Sequence, residues 1–168
     1  LLSELIDDVE AYCKLRGHKK IFYNIETKTS PATDGINHPD PGEFVDLLLK
    51  VVEEKKVAGR TIVQSFDYRT LKRVHTLRPK IRISALVEPE NRKGLEEVIS
   101  VLGFTPDIFS PHYSLVDPGL IESCHKRSCK VVPWTVNDRE QIAKLIGMGV
   151  DGIISDYPDL FAEFRKRK

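Results

Sequence analysis

The residues best suited to chemistry in this sequence are Glu26 and Lys28, which close the β-rich run Ile21-Phe22-Tyr23-Asn24-Ile25. Side chains two apart on a strand point to the same face, so the carboxylate and the ammonium project together. Burying either charge is costly unless it is paired or bound. A functional reading puts the carboxylate on a divalent cation and the lysine on a phosphate oxygen. A structural reading makes them an ion pair, and position leaves both open.

Other polar and aromatic clusters follow apolar runs in the same way: Gln64-Ser65-Phe66, Glu88, Ser110-Pro111-His112, Trp134-Thr135-Val136-Asn137 and Ser155-Asp156-Tyr157. Trp134 reads first as the top of an apolar core and second as a ligand wall, since Trp buries a large area in either role. Asn137 reads as a helix cap. His112 has no visible partner, so a loop or supporting role outranks general acid–base catalysis. His125, beside Lys126 and Arg127, reads as a helix C-terminal residue favoured by the dipole. His18, His38 and His75 have loop or surface readings. Cys13, Cys124 and Cys129 include no CxxC pair and no histidine at zinc-site spacing, so buried or incidental thiols are expected.

These clusters need elements to position them. Leu2, Leu5, Ile6, Val9, Tyr12 and Cys13 share one helical face, and Gly17 follows as a C-terminal stop. A Pro-, Gly- and Asp-rich loop over 30–40 leads to a helix start at Asp40-Pro41-Gly42-Glu43, with Phe44, Leu47, Leu48, Val51 and Val52 inward. The strand 61–66 comes next, and Asp67 caps a helix to about Leu77. The pattern repeats with a strand at 81–87, a helix near 91–102, a short strand at 108–110 and a helix after Asp117-Pro118. A strand at 130–136, a helix opened by Asn137-Asp138-Arg139-Glu140, a last strand at 152–155 and a terminal helix from Pro158 complete it. Arg165 to Lys168 reads as a solvated tail.

Strands alternating with helices imply a parallel sheet covered by helices. No GxGxxG or P-loop follows any strand, which disfavours a nucleotide-binding open sheet. The reading is therefore an α/β fold of the TIM-type (β/α)8 barrel, incomplete, with about six βα units in a single domain over 1–168. A whole barrel of this type takes about 250 residues, against 168 here. The net charge of +1 gives no global field to draw nucleic acid. No apolar run reaches the roughly 18 residues of a membrane helix. The chain opens directly on helix pattern without a Met, so the compartment stays open.

In this order the residues resemble the glycerophosphodiester phosphodiesterase family. Asn24-Ile25-Glu26-Thr27-Lys28 is similar to its strand carrying Glu-x-Lys, and Val63-Gln64-Ser65-Phe66 to its next strand end. Ser110-Pro111-His112-Tyr113, His125, Val132-Pro133-Trp134-Thr135-Val136-Asn137 and 149–158 resemble its C-terminal half. The resemblance implies a TIM barrel that hydrolyses glycerophosphodiesters to glycerol 3-phosphate and an alcohol with a divalent cation, Mg2+ or Ca2+. It matches Glu26 to a metal carboxylate and Lys28 to the lysine facing the substrate phosphate. Phe66, Trp134 and His112 fall beside the substrate. The family's His-Arg-Gly and Glu-x-Asp motifs, with its catalytic histidines and its other metal ligands, do not occur here. The resemblance thus implies that the first two barrel strands are absent and that this chain alone is inactive. The competing expectations are a non-catalytic fragment completed by another chain or by self-association through open sheet edges, and another phosphodiesterase barrel such as a phosphoinositide phospholipase C relative.

Overall fold

The structure is a computed structural model and describes residues 1–164. The chain forms two compact units, Leu1–Ile83 and the residues from Ser84 onward. Five strands occur among the described residues, each followed by an α-helix, and every strand pairing given for either unit is parallel.

The first unit comprises α1 (Leu2–Leu15), β1 (Tyr23–Glu26), α2 (Pro41–Glu54), β2 (Thr61–Ser65) and α3 (Tyr68–Leu77). β1 and β2 pair from Tyr23↔Thr61 to Glu26↔Gln64. The helix starts follow the local code. Asp40 accepts the Gly42 N–H (2.8 Å) with Pro41 in the first turn, and Asp67 accepts the Arg69 N–H (3.1 Å). Leu71 and Val74 of α3 are buried as expected.

Two apolar faces differ from the expectation. On α1 only Ile6 is buried, and Leu5 and Tyr12 stay 57% and 54% exposed. Fourteen helical residues span about 21 Å, whereas a four-residue strand such as β1 offers only about 13 Å to cover them. On α2 the buried positions are Val45, Leu48, Leu49 and Val52. Phe44, Leu47 and Val51 instead line a cleft of about 650 Å³ together with Leu1, Leu2, Ile25 and Glu26. The stripe on α2 is wider than one packing face, and the surplus lines the cleft.

The second unit is built on β3 (Arg82–Val87), β4 (Ile108–Pro111) and β5 (Lys130–Val131), with α4 (Leu95–Leu102), α5 (Pro118–Lys126) and α6 (Arg139–Met148). From Ser84 onward, β3 pairs with β4, and β4 pairs with β5 through Ile108↔Lys130 and Phe109↔Val131. Phe109 is the largest fully buried side chain among the described residues. α4 starts later than expected because Gly94 is the cap residue and its N–H is taken by the Glu97 carboxylate (2.8 Å).

Four expectations are corrected here. The strand expected over 130–136 is regular only at Lys130–Val131, although ladder bonds continue as Val132 N–H to Phe109 C=O (3.0 Å) and Trp134 N–H to Pro111 C=O (3.1 Å). The sixth strand is not formed. Residues 152–155 are an extended segment bonded to the chain after β5 through Ile154 N–H to Pro133 C=O and Val136 N–H to Ile154 C=O, both 2.9 Å. A strand requires a regular ladder, and this contact is too intermittent to make one. Asn137 does not cap α6; Asp138 does, accepting the Gln141 N–H (2.9 Å). Asn137 instead accepts the Asp156 N–H (3.0 Å) and donates to the Asp156 carboxylate (2.8 Å). The helix expected from Pro158 is a 3-10 helix, Pro158–Phe164, and the basic cluster from Arg165 to Lys168 lies outside the described residues.

Candidate active site

Parity along β1 and β2 places the candidate residues. Tyr23 donates to Glu10 of α1 (2.7 Å), and the Thr27 hydroxyl meets that of Thr70 in α3 (2.7 Å), so odd positions face the helices. Burial and the bond to Glu10 push the Tyr23 hydroxyl up to about 12. Even positions take the opposite face, where the Asn24 amide donates to the Gln64 side chain (2.7 Å). Glu26, directly opposite Gln64, is half-buried on this face. Lys28 and Phe66 continue the same parity past the strand ends, Lys28 exposed and Phe66 37% exposed. The first unit therefore gathers Glu26, Lys28, Phe66, Gln64 and Asn24 on one face at the C-terminal ends of parallel strands.

Glu26 and Lys28 form no ion pair with one another among the described residues. Each neighbour of Lys28 is anchored instead. Thr27 donates its N–H to Gln64 C=O (3.0 Å), and its own carbonyl accepts the Ser65 hydroxyl (2.6 Å). Thr29 donates to the Asp67 carboxylate (2.8 Å). Arg69 bridges that same carboxylate (2.6 Å) to Asp34 (2.6 Å) in the loop that follows Lys28. His38 closes the loop from within: its Nε2 accepts the Ser30 N–H (3.0 Å), which leaves Nδ1 to donate to Pro39 C=O (2.8 Å). An exposed lysine thus stands on a backbone fixed from both sides.

Burial pushes the Asp67 carboxyl up, but bonds from the Arg69 guanidinium, the Thr29 hydroxyl and the Arg69 N–H outweigh it and hold the carboxyl below the usual range. Its folded pKa is therefore below the unfolded value of about 3.9. The associated stability is fully present above that pH and is lost as pH falls through the folded pKa. Asp67→Asn should remove about 1 kcal/mol at neutral pH, a figure kept small because Arg69 is well exposed and solvent screens the pair. The substitution should also flatten the acid limb of the stability curve. Urea unfolding from neutral pH down to about pH 3 checks this; an unchanged acid limb would show that the carboxylate is not coupled to folding.

In the second unit the structure brings His112 and Trp134 together, rings edge to face at 5.3 Å. The Trp134 indole N–H donates to Ser110 C=O (2.9 Å), and the half-buried ring is fixed by this bond. His112 caps a 3-10 turn: its Nδ1 accepts the Ser114 N–H (3.3 Å), so Nε2 carries the proton in the neutral ring. It also lies 4.4 Å from the Tyr113 ring. His125 sits at the end of α5 as expected, and its Nε2 meets the Asp151 carboxylate (2.9 Å).

The sequence names Asn24 and Gln64 only as parts of strand ends, without a role, and gives no sign of the Arg69 bridge. The period-two alternation that joins Glu26 to Lys28 would have placed the first two beside them. The bridge links residues 35 apart in sequence and has no local signal.

The residues do not suffice for a cation. Among the described residues no three His, Cys, Asp or Glu side chains are grouped to hold a metal ion. Glu26 offers one carboxylate, whereas Mg2+ and Ca2+ take six or more oxygens.

Parallel strands with helices between them, and polar groups at the strands' C-terminal ends, are the arrangement of a TIM-barrel type of α/β fold. The glycerophosphoryl diester phosphodiesterase family model matches residues 6–160, and the chain belongs to that family. A glycerophosphodiester phosphodiesterase of Caldanaerobacter subterraneus subsp. tengcongensis is 32% identical over 162 residues, 94% of this chain and 60% of the relative. A crystal structure of a glycerophosphodiester phosphodiesterase from Parabacteroides distasonis matches with a TM-score of 0.73 and 25% identity, over 97% of this chain and 62% of that one. An Oleispira antarctica phosphodiesterase, solved with the product sn-glycerol-3-phosphate, shares the fold with a TM-score of 0.72 and 22% identity, over 94% of this chain and 57% of that one. The chain spans less than two thirds of the length of each.

Proposed function

We propose that the whole protein containing this chain hydrolyses glycerophosphodiesters to glycerol 3-phosphate and an alcohol, with a divalent cation. The observation that carries this reading is the placement of Glu26 at the C-terminal end of β1 and of Lys28 two residues beyond it, in the same parity, without an ion pair between them. The lysine is then available to a phosphate oxygen, where its charge opposes the negative charge that develops at phosphorus. Phe66 offers an apolar wall on the same face for the glycerol or alcohol moiety, and in the second unit the Trp134–His112 pair forms an aromatic surface of its own. Family membership and the product-bound relative from Oleispira antarctica support the substrate class.

Glu26 contributes one carboxylate to the cation and the described residues supply no others, so the reading requires ligands, and an acid and a base, from further residues. Residues 1–168 alone are accordingly inactive. Incubating the whole protein with a panel of glycerophosphodiesters should release glycerol 3-phosphate, and chelation with EDTA should abolish the release. The same assay on residues 1–168 should give none. Absence of glycerol 3-phosphate from the whole protein with every substrate would sink the assignment, and activity that survives exhaustive chelation would sink the cation requirement.

A further inference from the structure

The C-terminus of α5 carries an arrangement that the proposed hydrolysis does not use. The helix ends in a Schellman motif. The Cys129 N–H donates to Cys124 C=O (3.0 Å), and the Ser128 N–H donates to His125 C=O (2.9 Å). Ser128 supplies the left-handed residue that the motif needs, at φ 56°. In this motif the first and last residues pack side chain to side chain, usually as an apolar contact. Here both are free cysteines, buried at 0% and 1% exposure, with the two thiols close enough to perturb one another and the Cys129 thiol directed at the Lys130 C=O (3.7 Å).

We propose that Cys124 and Cys129 are a reversible dithiol–disulfide site, oxidised by low-molecular-weight disulfides. The cap joins the two residues directly, Cys129 N–H to Cys124 C=O at 3.0 Å, and so holds their backbones in the close approach that a disulfide requires. The site lies beneath a single surface turn, since all four intervening residues, His125 to Ser128, are exposed, and the exchange requires that turn to open. Interaction with Cys129 holds the Cys124 thiol below its usual range, while interaction with Cys124 and burial push Cys129 up. Cys124 is therefore the attacking sulfur.

The exchange balances in two steps. The Cys124 thiolate attacks one sulfur of the small disulfide, forming a mixed disulfide and expelling one small thiolate. Cys129 then loses its proton to solvent and attacks the Cys124 sulfur, expelling the second small thiolate. The protein loses two electrons and two protons, and the small disulfide becomes two thiols.

The test is native incubation of the protein with oxidised glutathione, followed by alkylation and peptide mapping without reduction. The expected result is loss of two of the three alkylatable thiols, recovery of one linked peptide containing Cys124 and Cys129, and full reversal by dithiothreitol. In Cys129→Ser, Cys124 should stop at the glutathione adduct. The wild-type map decides the matter even if that variant does not fold. Retention of both thiols in alkylatable form, or glutathione on both sulfurs without a link, would overturn the proposal. The inference is independent of the hydrolytic reading, since its readout is covalent.

Discussion

Lys28→Met in the whole protein should lower kcat by about 10²- to 10³-fold, the usual loss when one preorganised charge or donor aimed at a developing negative charge is removed. KM should change far less, because the lysine is assigned to charge that grows only in the transition state. The substitution separates chemistry from stability with little ambiguity. Lys28 is exposed, and its backbone is held by Thr27 and Thr29 rather than by its own side chain. Melting should therefore be almost unchanged, and Lys28→Arg should recover part of the rate by restoring the charge with a different geometry. Glycerol 3-phosphate release, measured alongside thermal unfolding, decides it. A Lys28→Met enzyme with wild-type kcat would leave the lysine with no part in turnover.

Phe109→Ala should be the most damaging single change in the folded second unit. Its side chain is 1% exposed in β4, between the register partners Ala85 of β3 and Val131 of β5. Removing a ring from such a place costs about 3–5 kcal/mol, because the transfer energy is lost and the cavity closes only in part. For a chain of this size that corresponds to a fall in Tm of roughly 6–20 °C. Phe109→Leu keeps most of the volume and should cost much less. Denaturant and thermal unfolding of the variants test this, and a loss below about 1 kcal/mol would mean that the strands can close over the gap.

Most of the architecture was legible because it is written in local chemistry. Asp40-Pro41, Asp67 and Asp117-Pro118 begin helices where their side chains can take the orphan N–H groups, and in the structure they do. Gly17, Gly103 and Gly149 adopt the positive φ that follows a helix end. The alternation of these helices with apolar runs was enough to name a parallel α/β fold. The candidate pair was legible for a similar reason, since period two on a strand needs only two positions to be read.

The errors fall where two local answers were equally good or where a partner was needed. Asn137 and Asp138 are both strong cap residues. Asp138 caps α6 because Asn137 is taken by Ser155 and Asp156, a contact from 18 and 19 residues away. Residues 152–155 have strand composition, yet whether they become a strand depends on the ladder offered by another segment. The thiols of Cys124 and Cys129 read as buried or incidental, and both are buried and free; their joining by one helix cap depends on the left-handed turn at Ser128, which a spacing of five does not announce.

For Glu26 and Lys28 the division is clear. The sequence by itself determined that they share a face at a strand end, because strand parity is a property of the backbone alone. Only the tertiary structure decided that they do not pair with each other, that Gln64 and Phe66 share their face, and that Thr29, Asp67, Arg69 and Asp34 fix the backbone beneath Lys28. Those contacts depend on which distant segments pack together, and no local preference of the chain encodes that.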